Sequence, residues 1–315
     1  MRELPQHLKG HDFVRIGGWT HDDLETILDL ADDLKRARRN GEDEPLLLRR
    51  TLGLLFLKPS TRTRVSFAVG IAQLGGAAVP ISSSELHLGQ ETETIRDTAT
   101  VLSRYLDALV VRTFDQADVE ELALHADIPV INGLTDWAHP CQALADLMTI
   151  RERLGRLSGV RVGYLGDGNN VCSSLMVAAA KFGMRFTAAT PTGYEPPEQV
   201  LIAARRAAVQ AGGTVELVHD PGSAVRGADV LYTDVWTSMG QEEEHDKRLR
   251  DFEGFRIDAD LLAWAKPEAI VLHCLPAHYG EEITEDVLHG PQSAAWDQAE
   301  NRLHTQKALL ALLVR

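Results

Sequence analysis

Hydrophobic residues with a helical period mark the beginning and the end of the chain. Between Thr20 and Gly41 the apolar positions recur every three or four residues, which predicts one amphipathic helix. Thr20 suits the N-cap because its hydroxyl accepts a backbone N–H, and Gly41 suits the stop because glycine adopts left-handed backbone conformations. Residues 299–314 repeat the helical pattern, so we predict a closing amphipathic helix there.

Short apolar runs, bounded by polar or turn residues, lie between the helical patterns. The stretches that contain these runs are residues 52–57, 77–82, 108–114, 129–134, 161–170, 186–191, 214–220, 230–236 and 269–276. Strands that are apolar on both faces and alternate with helices are typical of parallel sheets. The pattern therefore predicts an α/β protein.

The apolar runs form two series, which change over near Gly155, and residues 145–155 predict a long helix that bridges them. A length of 315 residues favours two domains of about 150 residues each. We predict two doubly wound parallel-sheet domains with an active-site cleft between them. The first covers residues 1–150, joined by a C-terminal helix at 293–315, and the second covers residues 151–292.

The net charge of −14 makes binding to nucleic acid or to an anionic membrane by bulk charge improbable. Any anion must be held by a local cluster against this field. Three cysteines fit a reduced cytosol better than a disulfide framework. We find no signal-peptide core and no apolar run near the ~20 residues of a membrane span, so we expect a cytoplasmic protein.

The turn after the first apolar run reads S-T-R-T-R, from Ser60 to Arg64. Free N–H groups at a helix N-terminus attract anions, and hydroxyl and guanidinium donors suit phosphate oxygens. The ordinary alternative is a capping serine followed by surface arginines that pair with acids. Five such residues directly after a buried strand favour an anion site.

Two further stretches carry candidate polar contacts. His139 and Gln142 in H-P-C-Q lie on one face of a first helical turn and are placed to polarise a carbonyl, although a capping or core histidine is the simpler interpretation. The glycines of G-D-G-N-N, residues 166–170, lack the dinucleotide spacing, and the next strand ends without an acid for a ribose. Asn169 and Asn170 either bond an amino-acid backbone or form the turn.

The last three strand or helix ends also carry polar groups. Asp234 ends a strand, where it either binds an ammonium group or forms an ordinary Asx turn. Cys274 in H-C-L-P either reaches into the cleft as a thiol or is a core residue. Pro276 is compatible with a cis bond. Arg302 in A-E-N-R begins the last helix, where a surface ion pair is the alternative. We expect no metal site, because histidines do not cluster with other ligands at the usual spacing.

Taken in order, the motifs S-T-R-T-R, V-R-T-F, H-P-C-Q, G-D-G-N-N, D-V-W-T-S-M-G, H-C-L-P and A-E-N-R strongly resemble the aspartate/ornithine carbamoyltransferase family. The resemblance runs from about residue 50 to the C-terminus. Cys141, the S-M-G loop and H-C-L-P resemble the ornithine branch. The resemblance implies that carbamoyl phosphate and L-ornithine give L-citrulline and phosphate, with no metal or organic cofactor, in a homotrimer or a multiple of trimers.

The resemblance also implies roles for individual residues. It assigns carbamoyl phosphate binding to Ser60, Thr61, Arg62, Thr63, Arg112, His139, Gln142, Cys274, Leu275 and Arg302. It assigns ornithine binding to Asn170, Asp234, Ser238 and Met239. Arg112, His139 and Cys274 are the implied catalytic residues, with Cys274 as proton acceptor. The first predicted domain is then the carbamoyl phosphate domain and the second the ornithine domain.

One loop departs from the family pattern. Many members carry a glutamine after the third strand that reaches a neighbouring subunit, whereas this loop reads SSSELHLGQETET and offers His87 or Gln90. The chemistry is the same in arginine synthesis and breakdown, and we expect synthesis. A transferase for another amine such as putrescine is the main alternative. A nicotinamide-dependent dehydrogenase is a distant one, and a catalytically silent subunit is improbable with this full residue set.

Overall fold

The computed structural model describes residues 4–82, 93–238 and 240–314. The chain divides into two units with their own internal packing. Unit 1 comprises Met1–Leu144 and Arg302–Arg315, and unit 2 comprises Ala145–Asn301. Both divisions fall inside helices, the first in Pro140–Leu154 and the second in Ala295–Val314.

Strands and helices alternate through most of the described chain. The strands are β1 (Thr51–Phe56), β2 (Ala77–Ser82), β3 (Ala108–Arg112), β4 (Val130–Leu134), β5 (Arg161–Leu165), β6 (Arg185–Ala189), β7 (Thr214–Val218), β8 (Val230–Thr233) and β9 (Ile270–His273). The helices are α1 (His21–Asn40), α2 (Thr61–Gln73), α3 (Ile95–Leu102), α4 (Gln116–His125), α5 (Pro140–Leu154), α6 (Asn170–Lys181), α7 (Glu198–Ala211), α8 (Pro221–Val225), α9 (His245–Asp251), α10 (Ala259–Leu262), α11 (Glu285–Leu288) and α12 (Ala295–Val314). Short 3₁₀ turns occupy Gln6–Leu8, Ile16–Gly18 and Glu242–Glu244.

Unit 1 contains a four-stranded parallel sheet in the order β2-β1-β3-β4. The chain passes from β1 to β2 in one direction and then returns to the other side of β1 with β3. Buried aliphatic residues of β1, β3 and α4, among them Leu55, Leu109 and Leu122, pack together in its core. The reversal of strand order lies between β1 and β3.

Unit 2 contains a five-stranded parallel sheet in the order β7-β6-β5-β8-β9. Its order reverses between β5 and β8. The rings of Phe186, Tyr164 and Tyr232, on three neighbouring strands, stack with centroid distances of 6.4 and 5.7 Å, and all three are buried. Such aromatic pairs add stabilisation beyond the area they bury.

The predicted fold class is confirmed: both units are α/β with parallel sheets. Thr20 and Asp23 form the capping box that begins α1, and Gly41 ends that helix with a left-handed φ of 73°. One detail of the prediction is wrong. The last turns of α12 are buried on all sides, His304 to Val314, so the closing helix is not amphipathic there. Within the described residues, no helix combines the length and apolarity that a bilayer span requires.

Candidate functional site

The S-T-R-T-R turn lies at the reversal of strand order in unit 1. Parallel sheets place ligands at such points, outside the carboxyl ends of the strands. Ser60 is the N-cap of α2, and its hydroxyl accepts the Thr63 N–H at 3.3 Å. Arg112 ends the neighbouring strand β3 beside Phe56 of β1. The N-terminus of α2 and Arg112 therefore both lie at the edge of the sheet formed by the carboxyl ends of its strands.

A buried hydrogen-bond cluster joins three helices of unit 1 at this edge. The Arg302 guanidinium, on α12, donates to Gln142 Oε1 at 2.8 Å and to Thr63 Oγ1 at 3.2 Å. All three residues are buried. Charge-assisted bonds of this kind hold side chains in defined positions. The structure thus brings together Thr63, Gln142 and Arg302 from widely separated parts of the sequence.

His139 lies directly before α5 and is buried with this cluster. Burial lowers the pKa of its imidazole well below the ordinary value, and the positive charges of Arg302, Arg112 and Arg62 lower it further. These guanidinium groups are therefore near enough to act on one ring. A neutral imidazole at pH 7 keeps an N–H to donate and adds no further positive charge.

Lys58 adds a cation that was not predicted as a site residue. Its ammonium is buried, forms an ion pair with Asp136 and lies 4.0 Å from the centroid of the Phe114 ring. Lys58, Phe114 and Asp136 follow β1, β3 and β4 respectively, so the contact ties three loops of the same edge together. Thr61 and Arg62 are exposed at this edge, and Ser60 is half-buried.

Cys141 is not part of this polar cluster. It is buried, and its thiol donates to the Asn132 carbonyl at 3.4 Å. Burial raises its pKa to about 12, so the thiol keeps its proton at neutral pH.

Unit 2 has a second polar cluster at its own reversal of strand order. Asp234 follows β8, and its carboxylate accepts the Cys274 thiol at 2.9 Å and the Asn169 side-chain amide at 2.8 Å. Asp234 is buried, while Cys274 and Asn169 are partly buried. The loops after β5, β8 and β9 thus bring an amide, a carboxylate and a thiol together.

Asn169 holds Asp234 in place, whereas the sequence prediction assigned the ligand role to Asn170. The other side-chain atom of Asn169, Oδ1, accepts the N–H groups of Val171 and Cys172 and caps α6. Its amide nitrogen is left to reach Asp234. Asn170 is the first residue of α6 and is half-buried. An N-cap position directly before a predicted helix was the signal that could have separated the two residues.

The segment with Ser238 is anchored by a buried arginine. Ser238 N–H donates to Gln241 Oε1 at 3.1 Å. The Arg248 guanidinium donates to the Trp236 carbonyl at 2.8 Å and to Asp167 Oδ2 at 2.9 Å. Burial raises the pKa of Asp167 to about 6, even though the Arg248 charge lowers it. Arg248 was not predicted, because it lies in a charged run that resembles a solvated helix.

The H-C-L-P segment has an unusual backbone. The Leu275–Pro276 bond is cis, and Leu275 has a φ of 59°. The Leu275 N–H donates to His273 Nδ1 at 2.9 Å, so the other ring nitrogen carries the proton and donates to Glu282 Oε1 at 3.1 Å. Metal-ligating atoms of Asp234, His273 and Cys274 lie within 4.8 Å of one another, but both ring nitrogens of His273 already have partners.

Three predicted residues, Met239, His87 and Gln90, lie outside the described residues. The stretch with His87 and Gln90 follows the second strand, β2, in the sequence, and the prediction that it follows the third strand is wrong. The remaining predicted set divides between the two units. Unit 1 holds Ser60, Thr61, Arg62, Thr63, Arg112, His139, Gln142 and Arg302; unit 2 holds Asn170, Asp234, Ser238, Cys274 and Leu275.

Fold and polar clusters together define an α/β enzyme built of two parallel-sheet units. Residues 11–152 match the model of the carbamoyl phosphate binding domain of aspartate/ornithine carbamoyltransferase, and residues 158–313 match the model of its aspartate/ornithine binding domain. The chain belongs to the aspartate/ornithine carbamoyltransferase family.

Relatives of known name are similar over nearly the whole chain. The ornithine carbamoyltransferase of Pyrococcus abyssi is 53% identical, covering 98% of this chain and 96% of the relative. That of Oceanobacillus iheyensis is 54% identical with the same coverage. The solved structure of the Pyrococcus furiosus ornithine carbamoyltransferase has a TM-score of 0.95 at 52% identity and covers 98% of both chains.

The environment of His139 predicts an imidazole that is neutral at neutral pH, because burial and nearby positive charges lower its pKa. A free histidine side chain has a pKa of about 6.5, whereas the folded-state pKa of His139 is lower. The stability that this difference provides is full above the unfolded-state pKa and is lost as the pH falls through the folded-state value. The measurement is an NMR titration of ring-labelled histidine, with the His139 signal assigned from a His139→Gln variant. A midpoint at or above pH 6.5 would contradict this description.

Proposed function

We propose that this chain is an ornithine carbamoyltransferase that transfers the carbamoyl group of carbamoyl phosphate to the side-chain amine of L-ornithine, giving L-citrulline and phosphate. The observation that carries the proposal is the pairing of two chemistries: a cationic cluster in unit 1 and a carboxylate–amide–thiol cluster in unit 2. The cationic cluster suits the doubly charged phosphate of an acyl phosphate, and the other cluster suits an amino acid with ammonium groups. The names of the relatives agree with it.

The phosphate group is bound by the turn that begins α2. Ser60, Thr61, Arg62 and Thr63 are the proposed phosphate ligands. A helix N-terminus offers unbonded N–H groups and a positive dipole end, and exposed Arg62 adds a planar fork. Net charge elsewhere is strongly negative, so the affinity comes from this local arrangement.

The carbamoyl group is bound by Arg112, His139 and Gln142, with Arg302 completing the site. Arg302 donates to Gln142 and thereby sets the orientation of the amide. The neutral His139 and the Arg112 guanidinium donate to the carbamoyl oxygen. As the amine attacks, negative charge develops on that oxygen, and donors fixed in advance stabilise it most.

The amino-acid end of ornithine is bound by Asp234, Asn170, Ser238 and Met239. Asp234 is the ammonium ligand, and Asn169 holds its carboxylate in position. Because the site carries a carboxylate and amide groups, it suits an α-amino acid better than a plain diamine such as putrescine. Aspartate, a dicarboxylate, would require a basic residue where this chain has Asp234.

During transfer the amine loses two protons, and the carbamoyl carbon exchanges its bond to the phosphate oxygen for a bond to nitrogen. The side-chain ammonium of ornithine first gives up a proton and becomes a nucleophile. Its nitrogen then bonds the carbamoyl carbon, loses a second proton, and the carbon–oxygen bond to phosphate breaks. Cys274 is the proposed acceptor near the amine: it takes up the first proton as its own thiol proton passes to Asp234, and the departing phosphate takes up the second. Holding both substrates in line provides most of the rate gain.

The metabolic role is arginine biosynthesis in the cytoplasm. The Pyrococcus furiosus relative, 52% identical over 98% of this chain, is named an anabolic ornithine carbamoyltransferase. The chemistry of the catabolic reaction is identical, so similarity to this relative is what favours synthesis.

The proposed assembly is a homotrimer or a multiple of trimers. Unit 1 exposes apolar side chains of α2 and of the edge strand β2: Val65 is 53%, Val69 38% and Val79 43% exposed. Edge strands and clustered apolar side chains are usually covered by a partner. Light scattering on the purified chain should give a mass three times the 34.6 kDa of one chain, or a multiple of that. A mass of one or two chains would contradict the assembly.

A substrate comparison tests the reaction. Carbamoyl phosphate is supplied with ornithine, putrescine or aspartate, and both the carbamoylated amine and released phosphate are measured. We expect product with ornithine but not with putrescine or aspartate. Only ornithine combines a free side-chain amine with an amino-acid end for the Asp234 cluster. Product with putrescine alone would keep the unit 1 assignment and overturn that of unit 2. If no phosphate were released with any of the three amines, the assignments of both units would be overturned.

Two substitutions test the division of binding roles. Arg62→Ala should raise the KM for carbamoyl phosphate, and Asp234→Asn the KM for ornithine, each on the order of 10- to 100-fold, because each removes a charged hydrogen-bond partner. The other substrate's KM should change little. The controls are Arg104→Ala and Asp260→Asn, which alter exposed side chains. Equal effects of Asp234→Asn on both constants would show that Asp234 is structural.

A further inference from the structure

Two histidines and two glutamates converge in unit 2 beyond the polar clusters described above. His245 is the first residue of α9, and His278, Glu281 and Glu282 follow β9. His245 Nε2 is 3.6 Å from Glu281 Oε1. His278 Nδ1 is 3.8 Å from Glu281 Oε2 and 3.9 Å from Glu282 Oε2. The ligand-type atoms of His278, Glu281 and Glu282 all lie within 4.8 Å of one another.

These separations are too long for hydrogen bonds, which end near 3.2 Å for N–H donors. They are close to the spacing of ligands around a shared ion. Two atoms each about 2.1 Å from a tetrahedral zinc ion lie about 3.4 Å apart. Movements of a few tenths of an ångström would therefore bring His278 Nδ1 and each of the two neighbouring carboxylate oxygens to that spacing. His245 approaches the group through the other oxygen of Glu281.

The two carboxylates provide an independent observation. Glu282 is fully buried; its Oε1 accepts the His278 N–H at 2.6 Å and the ring N–H of His273. Its Oε2, and Oε2 of Glu281, are buried without a hydrogen-bond partner among the residues that the structure describes. A buried carboxylate oxygen without a partner is costly. A cation between these oxygens would remove that cost and the repulsion between the two charges.

The histidines are prepared for metal binding in a second way. His245 Nδ1 lies 3.3 Å from Thr237 Oγ1, which can accept its proton and leave Nε2 free to coordinate. Ligating histidines regularly donate their second N–H to an oxygen. The side chains of His245 and His278 are 40% and 45% exposed, so an ion can reach them from solvent.

We propose that His245, His278, Glu281 and Glu282 form a binding site for a divalent transition-metal ion, with two imidazole nitrogens and two carboxylate oxygens that suit Zn²⁺ or Co²⁺. The fold creates this site, because His245 is far from the other three residues in sequence. The bound ion would link α9, which follows the Ser238 segment, to the segment after Pro276. This inference does not depend on the proposed reaction.

Calorimetry tests the site with the untagged chain, freed of metal by a chelator and titrated with Zn²⁺. We expect one ion per chain at this site and at least a tenfold increase in Kd for His278→Ala and for Glu281→Gln. His125→Ala, on α4 of unit 1, should bind like the unaltered chain. Thermal unfolding in the absence of metal shows whether each variant is folded; Glu281→Gln, which keeps size and polarity, is the safer variant.

Cobalt distinguishes this site from the Asp234–His273–Cys274 group. At the proposed site Co²⁺ should give d–d bands without a thiolate-to-metal charge-transfer band, and Cys274→Ala should leave the affinity unchanged. A charge-transfer band that Cys274→Ala removes, together with unchanged affinity in His278→Ala, would assign the ion to the thiol and overturn the proposal. Absence of binding, or binding that none of the variants weakens, would also overturn it.

Discussion

The reversal of strand order in each parallel sheet is the constraint on which the polar clusters depend. All strands of a sheet end at the same edge, and where the order reverses the two adjoining loops diverge and leave a depression. In unit 1 this position joins the Ser60 turn and Arg112. In unit 2 it joins Asn169 and Asp234. One topological rule, used twice, gives a cationic cluster and an acidic one.

The two clusters differ in sign within a protein whose net charge is −14. The cationic cluster of unit 1 opposes the negative field, and the carboxylate of unit 2 has the same sign as that field. Unit 1 concentrates guanidinium groups near His139, whose pKa is kept low by burial and then by these charges, so the ring adds one N–H donor without added charge. Unit 2 buries Asp234 beside neutral donors from Asn169 and Cys274. We propose that a substrate charge of opposite sign completes each cluster.

The sequence was sufficient for the fold and for the strand-end residues. Apolar runs that alternate with helical periods are typical of buried parallel strands, and a polar residue at a strand end, such as Asp234, then lies outside the carboxyl end of the sheet. Contacts between distant segments were not accessible. Arg248 reads as one charge among many until the fold buries it against Asp167. His245 approaches Glu281 only through tertiary structure.

The position of Arg302 has a consequence for how the protein is made. Unit 2 is one continuous segment, whereas unit 1 needs the final helix of the chain. The guanidinium that bonds Thr63 and Gln142 is therefore synthesised only after the whole of unit 2. A nascent chain therefore has all four strands of the unit 1 sheet long before it has the complete Thr63–Gln142–Arg302 cluster, and unit 2 is made in the interval.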